Sequence, residues 1–351
     1  MVSRVCFVYP WATLGGVERV FLNRLMAFQQ AVPYLQVDLL FLQDSGGAEP
    51  LRSALKRQGI DARVLVLPDF AEDACYDLVF CVDCPQAFAM CERRGFRYVA
   101  ECHTSYLENR KYLRQLPAAC ERIVVPSVLF GERLRAELSE RTAPSIVTLR
   151  NFIPWDMERA RADFRRPGWV RTPLLFFGRM DRHKNPLMLL DALALLERRG
   201  DHRFFALLCG PQSPEIDMQK AIDRRDLQAQ VIVVPPVPFS ATDEWLRLVR
   251  DSGGIYVSPS RGESFGLAAA EAIGVGMPVL LSDIAEHRFL VDGFGDDFLF
   301  TLDSISALAE KIVRITDGYQ EFTVVMKRAR ERFSSNAFME DWRNMLDGLK
   351  Q

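Results

Sequence analysis

Two successive series of short apolar runs, each run followed by a longer stretch of helical period, constrain this chain more than any other feature. In the first half the runs are VCFVYP, VDLLFL, ARVLVL, DLVFCV, RYVAEC and RIVVPS, interleaved with VERVFLNRLMAF, PLRSALKRQG and LFGERLRAELSE. The second half repeats the alternation with PLLFFG, FFALLCG, QVIVVPP, GIYVSPS and PVLLSD, separated by PLMLLDALALLERRG, DEWLRLVRD and LAAAEAIG. The runs are apolar throughout, so both faces of each strand are buried. That is the pattern of a parallel sheet with helices on both sides, and it predicts the α/β class. Two series in 351 residues, too many for one ordinary core, predict two doubly wound, Rossmann-like domains.

The seam is expected in residues 149 to 173, which carry Pro154 and Pro167 and show no strand period. The first domain then covers 1–160 and the second 171–330. Residues 325 to 351 read as amphipathic helix with a break at FSSNAF, and the last helix, about 335–351, is expected to return to the first domain.

Composition removes several function classes. A net charge of −2 gives no basic field for nucleic acid. No apolar run reaches the roughly 18 residues that cross a bilayer. MVSRVCFVYPWATLGG reads as a first buried strand, not a signal peptide, so a cytoplasmic protein is expected, with the inner face of the membrane as a further possibility. The eight cysteines have no regular spacing. Cys81 and Cys84, with Cys91 beyond, lack the second close pair a zinc site needs and read as strand residues, so no metal is expected.

Four stretches carry the chemistry. In YPWATLGGVERV, Gly15 and Gly16 precede a helix, where they serve either a tight turn or the close approach of an anion to unpaired N–H groups. In LLFFGRMDRHKNPLMLLDAL, a buried strand ends at Gly178, and Arg179 and Lys184 follow beside a helix that Asn185 should cap and Pro186 should open. Two cations beside a helix N-terminus make a diphosphate site. In SPSRGESFGLAAAEAIG, Glu263 sits in the turn after a strand and Glu271 two turns into the next helix. The alanines before Glu271 should leave that face open, so the two carboxylates would accept hydrogen bonds from two sets of hydroxyls, the diols of a sugar and a ribose. His103 in VAECHTSYLE follows another strand, at the carboxyl edge where open α/β sheets bind ligands. Ser127 reads as a helix N-cap. Arg110, Lys111 and Arg114 read as a solvated helix face, with an anionic acceptor or a membrane surface as the sharper alternative.

Taken together these residues resemble the GT-B glycosyltransferases of the large retaining family numbered four, also described as glycosyl transferases group 1. The likeness is strongest from Leu174 to Asp283 and extends to GGVER and to the histidine after VAEC. Glu263 and Glu271 match the family's paired glutamates, and FFGRMDRHKN matches its diphosphate strand. The resemblance implies two Rossmann-like domains facing across a cleft. It implies transfer of a sugar from a UDP- or GDP-sugar to a glycan or lipid-linked acceptor, with retention and without a metal or other cofactor, in bacterial surface polysaccharide synthesis. Glu263 would contact the donor sugar and Glu271 the ribose. Arg179 and Lys184 would neutralise the leaving diphosphate beside Gly178. The loop of Ser264, Phe265, Gly266 and Leu267 would orient the sugar, Gly15 and Gly16 would lie against the phosphates, and His103 would reach a donor hydroxyl or the acceptor side. Two carboxylates at about 5 Å would suit double displacement, whereas the resemblance implies a front-face route. Two positions depart from the family: His183-Lys184-Asn185 stands for its usual Glu-Lys-Gly, and Phe152 follows Asn151 where glycine is usual.

Rival readings on the same architecture are a nucleotide-sugar 2-epimerase, which needs more cleft acids and bases than four histidines suggest, and a phosphorylase, which needs a longer chain. A catalytically inactive nucleotide-sugar-binding subunit is the non-enzymatic alternative, and the intact cations and glutamates argue against it.

Overall fold

A computed structural model describes residues 2–138, 145–154, 167–238 and 241–349, so part of the expected seam, 155–166, lies outside the described residues. The chain divides into two compact units, Met1–Pro154 with Ser334–Gln351, and Trp155–Phe333.

The first unit is built on β1 (Arg4–Ala12), β2 (Gln36–Asp44), β3 (Arg63–Val66), β4 (Leu78–Val82), β5 (Tyr98–Glu101), β6 (Cys120–Val125) and β7 (Ile146–Thr148). Among the described residues these form one parallel sheet in the order β3-β2-β1-β4-β5-β6-β7. Every residue of β4 and β5 is buried, as unbroken apolar runs covered on both faces require. Strand order reverses at β1, so the carboxyl ends of β1 and β4 flank a topological switch point.

The helix Ser335–Gly348 belongs to this unit. Phe338, Met339, Trp342 and Met345 recur at helical spacing and are buried. Trp342 lies 4.7 Å from the Phe28 ring and 5.6 Å from Phe80, and Phe338 lies 5.0 Å from Phe152. Polar ties fix its position: both Asp341 oxygens accept from Arg150 at 2.7 Å, and Arg97 and Arg122 donate to the carbonyls of Leu349 and Gly348 at its end. Phe152, at the position where glycine would give a hinge freedom, is held by this packing and by Asn23, whose Nδ2 donates to its carbonyl at 3.0 Å.

The second unit contains β8 (Thr172–Phe177), β9 (Phe204–Cys209), β10 (Val231–Val234), β11 (Ile255–Ser258), β12 (Val279–Ser282) and β13 (Leu299–Phe300). They form a parallel sheet in the order β10-β9-β8-β11-β12-β13 among the described residues. The reversal falls between β8 and β11. The carboxyl ends of those two strands are therefore a topological switch point, the place where open α/β sheets bind ligands.

Candidate functional site

Both sharp motifs of the second unit fall at this switch point. β8 runs out at Phe177, and Gly178 N donates to Cys209 O at 2.9 Å. Gly210 lets the two strand ends meet: it has φ +139, and a Cβ there would lie 2.2 Å from the Gly178 carbonyl oxygen. Asp181, buried, organises the loop that follows. Its Oδ1 accepts from Lys184 N at 2.8 Å, its Oδ2 pairs with Arg179 Nε at 2.9 Å, and its carbonyl accepts from Asn185 N. Asn185 does not supply the side-chain cap expected of it. It adopts φ +56 immediately before Pro186, the first residue of the helix Pro186–Arg198. Asparagine tolerates that left-handed conformation better than other residues with a side chain, which explains how it stands where the family has glycine.

The turn after β11 brings Glu263 onto this loop. Lys184 Nζ donates to both carboxylate oxygens of Glu263, at 2.6 and 2.7 Å. Burial alone would raise the Glu263 carboxyl, but the Lys184 ammonium outweighs it and holds the group below the usual glutamate range. The two loops are locked elsewhere too. Arg261 N donates to His183 O at 2.8 Å, and the His183 ring packs on Gly262, where a Cβ would approach it to 3.1 Å. Burial, then the neighbouring Lys184, lowers His183, so it is neutral at pH 7.

Past Glu263 come Ser264, half-buried, and Phe265, edge-on to Phe333 at 6.2 Å. Gly266, with φ +87, starts the helix Leu267–Gly274. Contrary to the expected open face, Glu271 is only 3 % exposed, and Ala269, Ala270 and Ala272 are buried beside it. Small residues here bring the helix close to the sheet. Burial, and then the charge of Glu263, pushes the Tyr256 phenol on β11 well above its ordinary value, with Glu271 adding to the shift, so it stays protonated.

Sequence reasoning missed the support behind Glu263. His287, fully buried, places Nδ1 2.9 Å from the Ser282 carbonyl, which can only accept, so Nδ1 carries the proton. Nε2 then accepts from Ser258 Oγ at 3.4 Å, Ser258 Oγ lies 3.1 Å from Ser260 Oγ, and Ser282 Oγ donates to Ser260 O at 2.5 Å. Burial lowers His287 and keeps it neutral. The available signal was a serine closing each of two otherwise apolar runs, GIYVSPS and PVLLSD.

In the first unit, Gly15 and Gly16 lie where β1 passes into the helix Gly16–Ala31. Glu18 folds back over them: Thr13 donates to Glu18 Oε1 through its backbone N–H and through Oγ1, the latter at 2.7 Å. A Cβ on Gly15 would approach Thr13 Oγ1 to 2.8 Å, so the glycine serves this tight loop. Burial raises the Glu18 carboxyl. His103 follows β5. Its backbone N–H donates to both oxygens of half-buried Asp83 at 3.1–3.2 Å, and its Nε2 lies 2.6 Å from Glu101 Oε1. Burial pushes Asp83 up to about 6. Ser127 caps its helix, accepting from Phe130 N. Arg110 is not on a solvated face: it is buried and donates to both Glu137 oxygens, at 2.6 and 3.0 Å, while Lys111 is exposed beside Glu108. Cys81 and Cys91 are free thiols with Sγ atoms 3.9 Å apart. Among the described residues no cluster of three or more His, Cys, Asp or Glu is placed to hold a metal, and no helix is long and apolar enough to cross a membrane.

Residues 170–338, which include β8, β11, both cations and both glutamates, match the family model for glycosyl transferases group 1. That segment belongs to the group 1 family. Curated relatives match part of the chain. One is the GDP-mannose:cellobiosyl-diphosphopolyprenol alpha-mannosyltransferase of Xanthomonas oryzae pv. oryzae, 32% identical over 143 residues, which are 40% of this chain and 36% of that one. The match to its Xanthomonas campestris counterpart, at 29% identity, spans 60% of this chain and 54% of the relative, so the chain matches about a third to a half of these relatives' length. The fold extends over the whole chain. It is similar to a sucrose-phosphate synthase from Thermosynechococcus elongatus (TM-score 0.72, 16% identity, 99% of both chains). It is equally similar to Anabaena HepE in complex with UDP and glucose (TM-score 0.74, 14% identity, 100% of both chains). The architecture is therefore GT-B, an α/β fold of two Rossmann-like units.

Proposed function

We propose that this protein is a retaining glycosyltransferase that moves a sugar from a nucleotide diphosphate to a hydroxyl of a glycan or lipid-linked acceptor, in bacterial surface polysaccharide synthesis. The observation that carries the reading is the Lys184–Glu263 pair, which joins a cation from the end of β8 to a carboxylate from the end of β11 at 2.6 Å. A sugar-diphosphate ester needs both at one point: positive charge for the leaving diphosphate and an acceptor for sugar hydroxyls. The GDP-sugar of the Xanthomonas relative and the UDP of the Anabaena neighbour support the donor class.

In this reading Arg179 and Lys184 take up the charge that develops as the bond from the anomeric carbon to the diphosphate oxygen breaks, in place of a metal. The acceptor oxygen bonds to the anomeric carbon from the same face, and its proton passes to the departing diphosphate oxygen. Glu263 orients the sugar with the N–H groups of Ser264 to Leu267. Glu271 holds the ribose hydroxyls. Double displacement is set aside in this reading because both Glu263 oxygens already accept from Lys184, which ties up the lone pairs a carboxylate nucleophile would use.

Interactions made equally in ground and transition states alter binding but not the barrier of the bound reaction. With a panel of UDP- and GDP-sugars, Glu263→Gln should therefore depress turnover at saturating donor by at least ~10-fold, with a smaller effect on affinity for the free nucleoside diphosphate. Glu271→Gln should chiefly weaken the nucleotide, and the loss should shrink for a 2′,3′-dideoxy analogue. Equal nucleotide affinity in Glu271→Gln and the parent would refute the ribose assignment. A panel without transfer or donor hydrolysis would refute the function.

A further inference from the structure

We propose that Glu101 and Arg24 are positioning residues that hold His103 in one orientation and one tautomer, so that any sugar or acceptor hydroxyl it meets is met through Nδ1. The functional half of this rests on the glycosyltransferase reading above; the tautomer does not.

Glu101 closes β5 and is wholly buried, two residues before His103. A carboxylate at such a place needs a counter-charge. Arg24, buried on the helix Gly16–Ala31, supplies it: Nη1 donates to Oε2 at 3.0 Å and Nη2 to Oε1 at 2.6 Å. The guanidinium lies over the rings of Phe7 and Phe338, at 5.7 and 5.6 Å from their centroids. Burial works to raise the Glu101 carboxyl, and Arg24 with the His103 hydrogen bond more than offsets this, leaving it at about 2. Glu101 is thus ionised at every working pH and can only accept hydrogen bonds. Its Oε1 lies 2.6 Å from His103 Nε2, so Nε2 must carry a proton.

The backbone end of His103 is fixed as well, because Asp83 receives its N–H at 3.1–3.2 Å. Asp83 itself has φ +43 and accepts from the Tyr112 hydroxyl at 3.5 Å. With the main chain pinned by Asp83 and one ring nitrogen pinned by Glu101, the ring is left with one nitrogen, Nδ1, outside these contacts. Satisfying the Arg24–Glu101 charges needs no histidine, since the guanidinium already reaches both oxygens. The third bond therefore points to a use for the imidazole. It also ties that use to the helix that starts at Gly16 and to Phe338 of the last helix.

The test uses the full chain with 15N-labelled histidine, with the His103 signals assigned through His103→Gln. The parent should show a proton on His103 Nε2 that is protected from exchange with water and shifted far downfield by the short bond to Glu101. A proton on Nδ1 with none on Nε2, or an Nε2 proton exchanging as in free imidazole, would overturn the proposal. Single substitution of Glu101 strands a buried cation, so the variant of choice is the apolar pair Arg24→Met with Glu101→Leu, which removes both charges together. It should fold, lose the protected proton, and lose at least ~10-fold in kcat with KM for the donor nearly unchanged. A folded double variant with parental kcat would overturn the positioning role. Absence of turnover by the parent with every donor would refute the glycosyltransferase reading by itself, and the ring proton still decides the tautomer.

Discussion

Lys184→Ala should lose roughly 10- to 150-fold in turnover and should also invert how stability responds to pH. The first effect follows from the worth of a charge-assisted contact to a diphosphate, about 1.5–3 kcal/mol. The second comes from Glu263. In the parent its carboxyl is held below the usual range by Lys184 against the effect of burial. A depressed carboxyl contributes stability above its unfolded-state value, and that contribution is lost as pH falls through the folded value. Without Lys184 the burial remains and the cation does not, so the carboxyl rises above its unfolded value. The variant should then be least stable at neutral and higher pH and should recover as pH falls toward the acid range. Thermal unfolding of parent and variant between pH 5 and 8, beside turnover at saturating donor, checks both effects. Parental turnover together with a parental pH profile would remove Lys184 from the site. Arg179→Ala should cost less, since Arg179 is half exposed and its partner Asp181 keeps the bond to Lys184 N.

Removing residues 334–351 should abolish cooperative folding of the first unit. Phe338, Met339, Trp342 and Met345 are each buried there, and burying such a side chain contributes about 1.5–3 kcal/mol. Four of them sum to roughly 6–12 kcal/mol, against a typical whole-domain stability of about 5–15 kcal/mol. The deletion also uncovers Arg24 from Phe338 and leaves Arg150 without Asp341. We expect a truncated chain that aggregates or exposes first-unit sites to protease at temperatures where the parent is resistant. A truncated chain with the parent's melting temperature would show that this helix is an ornament.

Much of this was legible in the sequence because parallel strands buried on both faces leave long apolar runs, and because helix-opening loops need glycine, proline and asparagine at fixed places. LLFFG, GIYVS and LAAAEA therefore announced β8, β11 and the Glu271 helix, and with them the switch point at which Arg179, Lys184 and Glu263 meet. What stayed hidden depends on contacts between residues far apart in the chain. Arg24 looks like an ordinary helix arginine until Glu101, 77 positions later, comes within 2.6 Å. Arg110 read as a surface charge because Glu137 lies on another element. His287 gave no sign in SDIAEHRF, since its partners are serines on two other strand ends. The alanines near Glu271 misled for a related reason: small residues permit close packing as readily as they leave space, and only the neighbouring sheet decides which.

The central claim is that the switch point of the second unit holds a nucleoside diphosphate by its own cations. Calorimetric titration of UDP and GDP in the presence of EDTA, on the parent and on a variant carrying both Arg179→Ala and Lys184→Ala, tests it most directly. The account predicts that the parent binds one of the two nucleotides at one site per chain with EDTA present, and that the folded double variant binds it at least ~100-fold more weakly. Nucleotide binding that survives the double substitution unchanged, or that appears only when a divalent metal is added back, would contradict it.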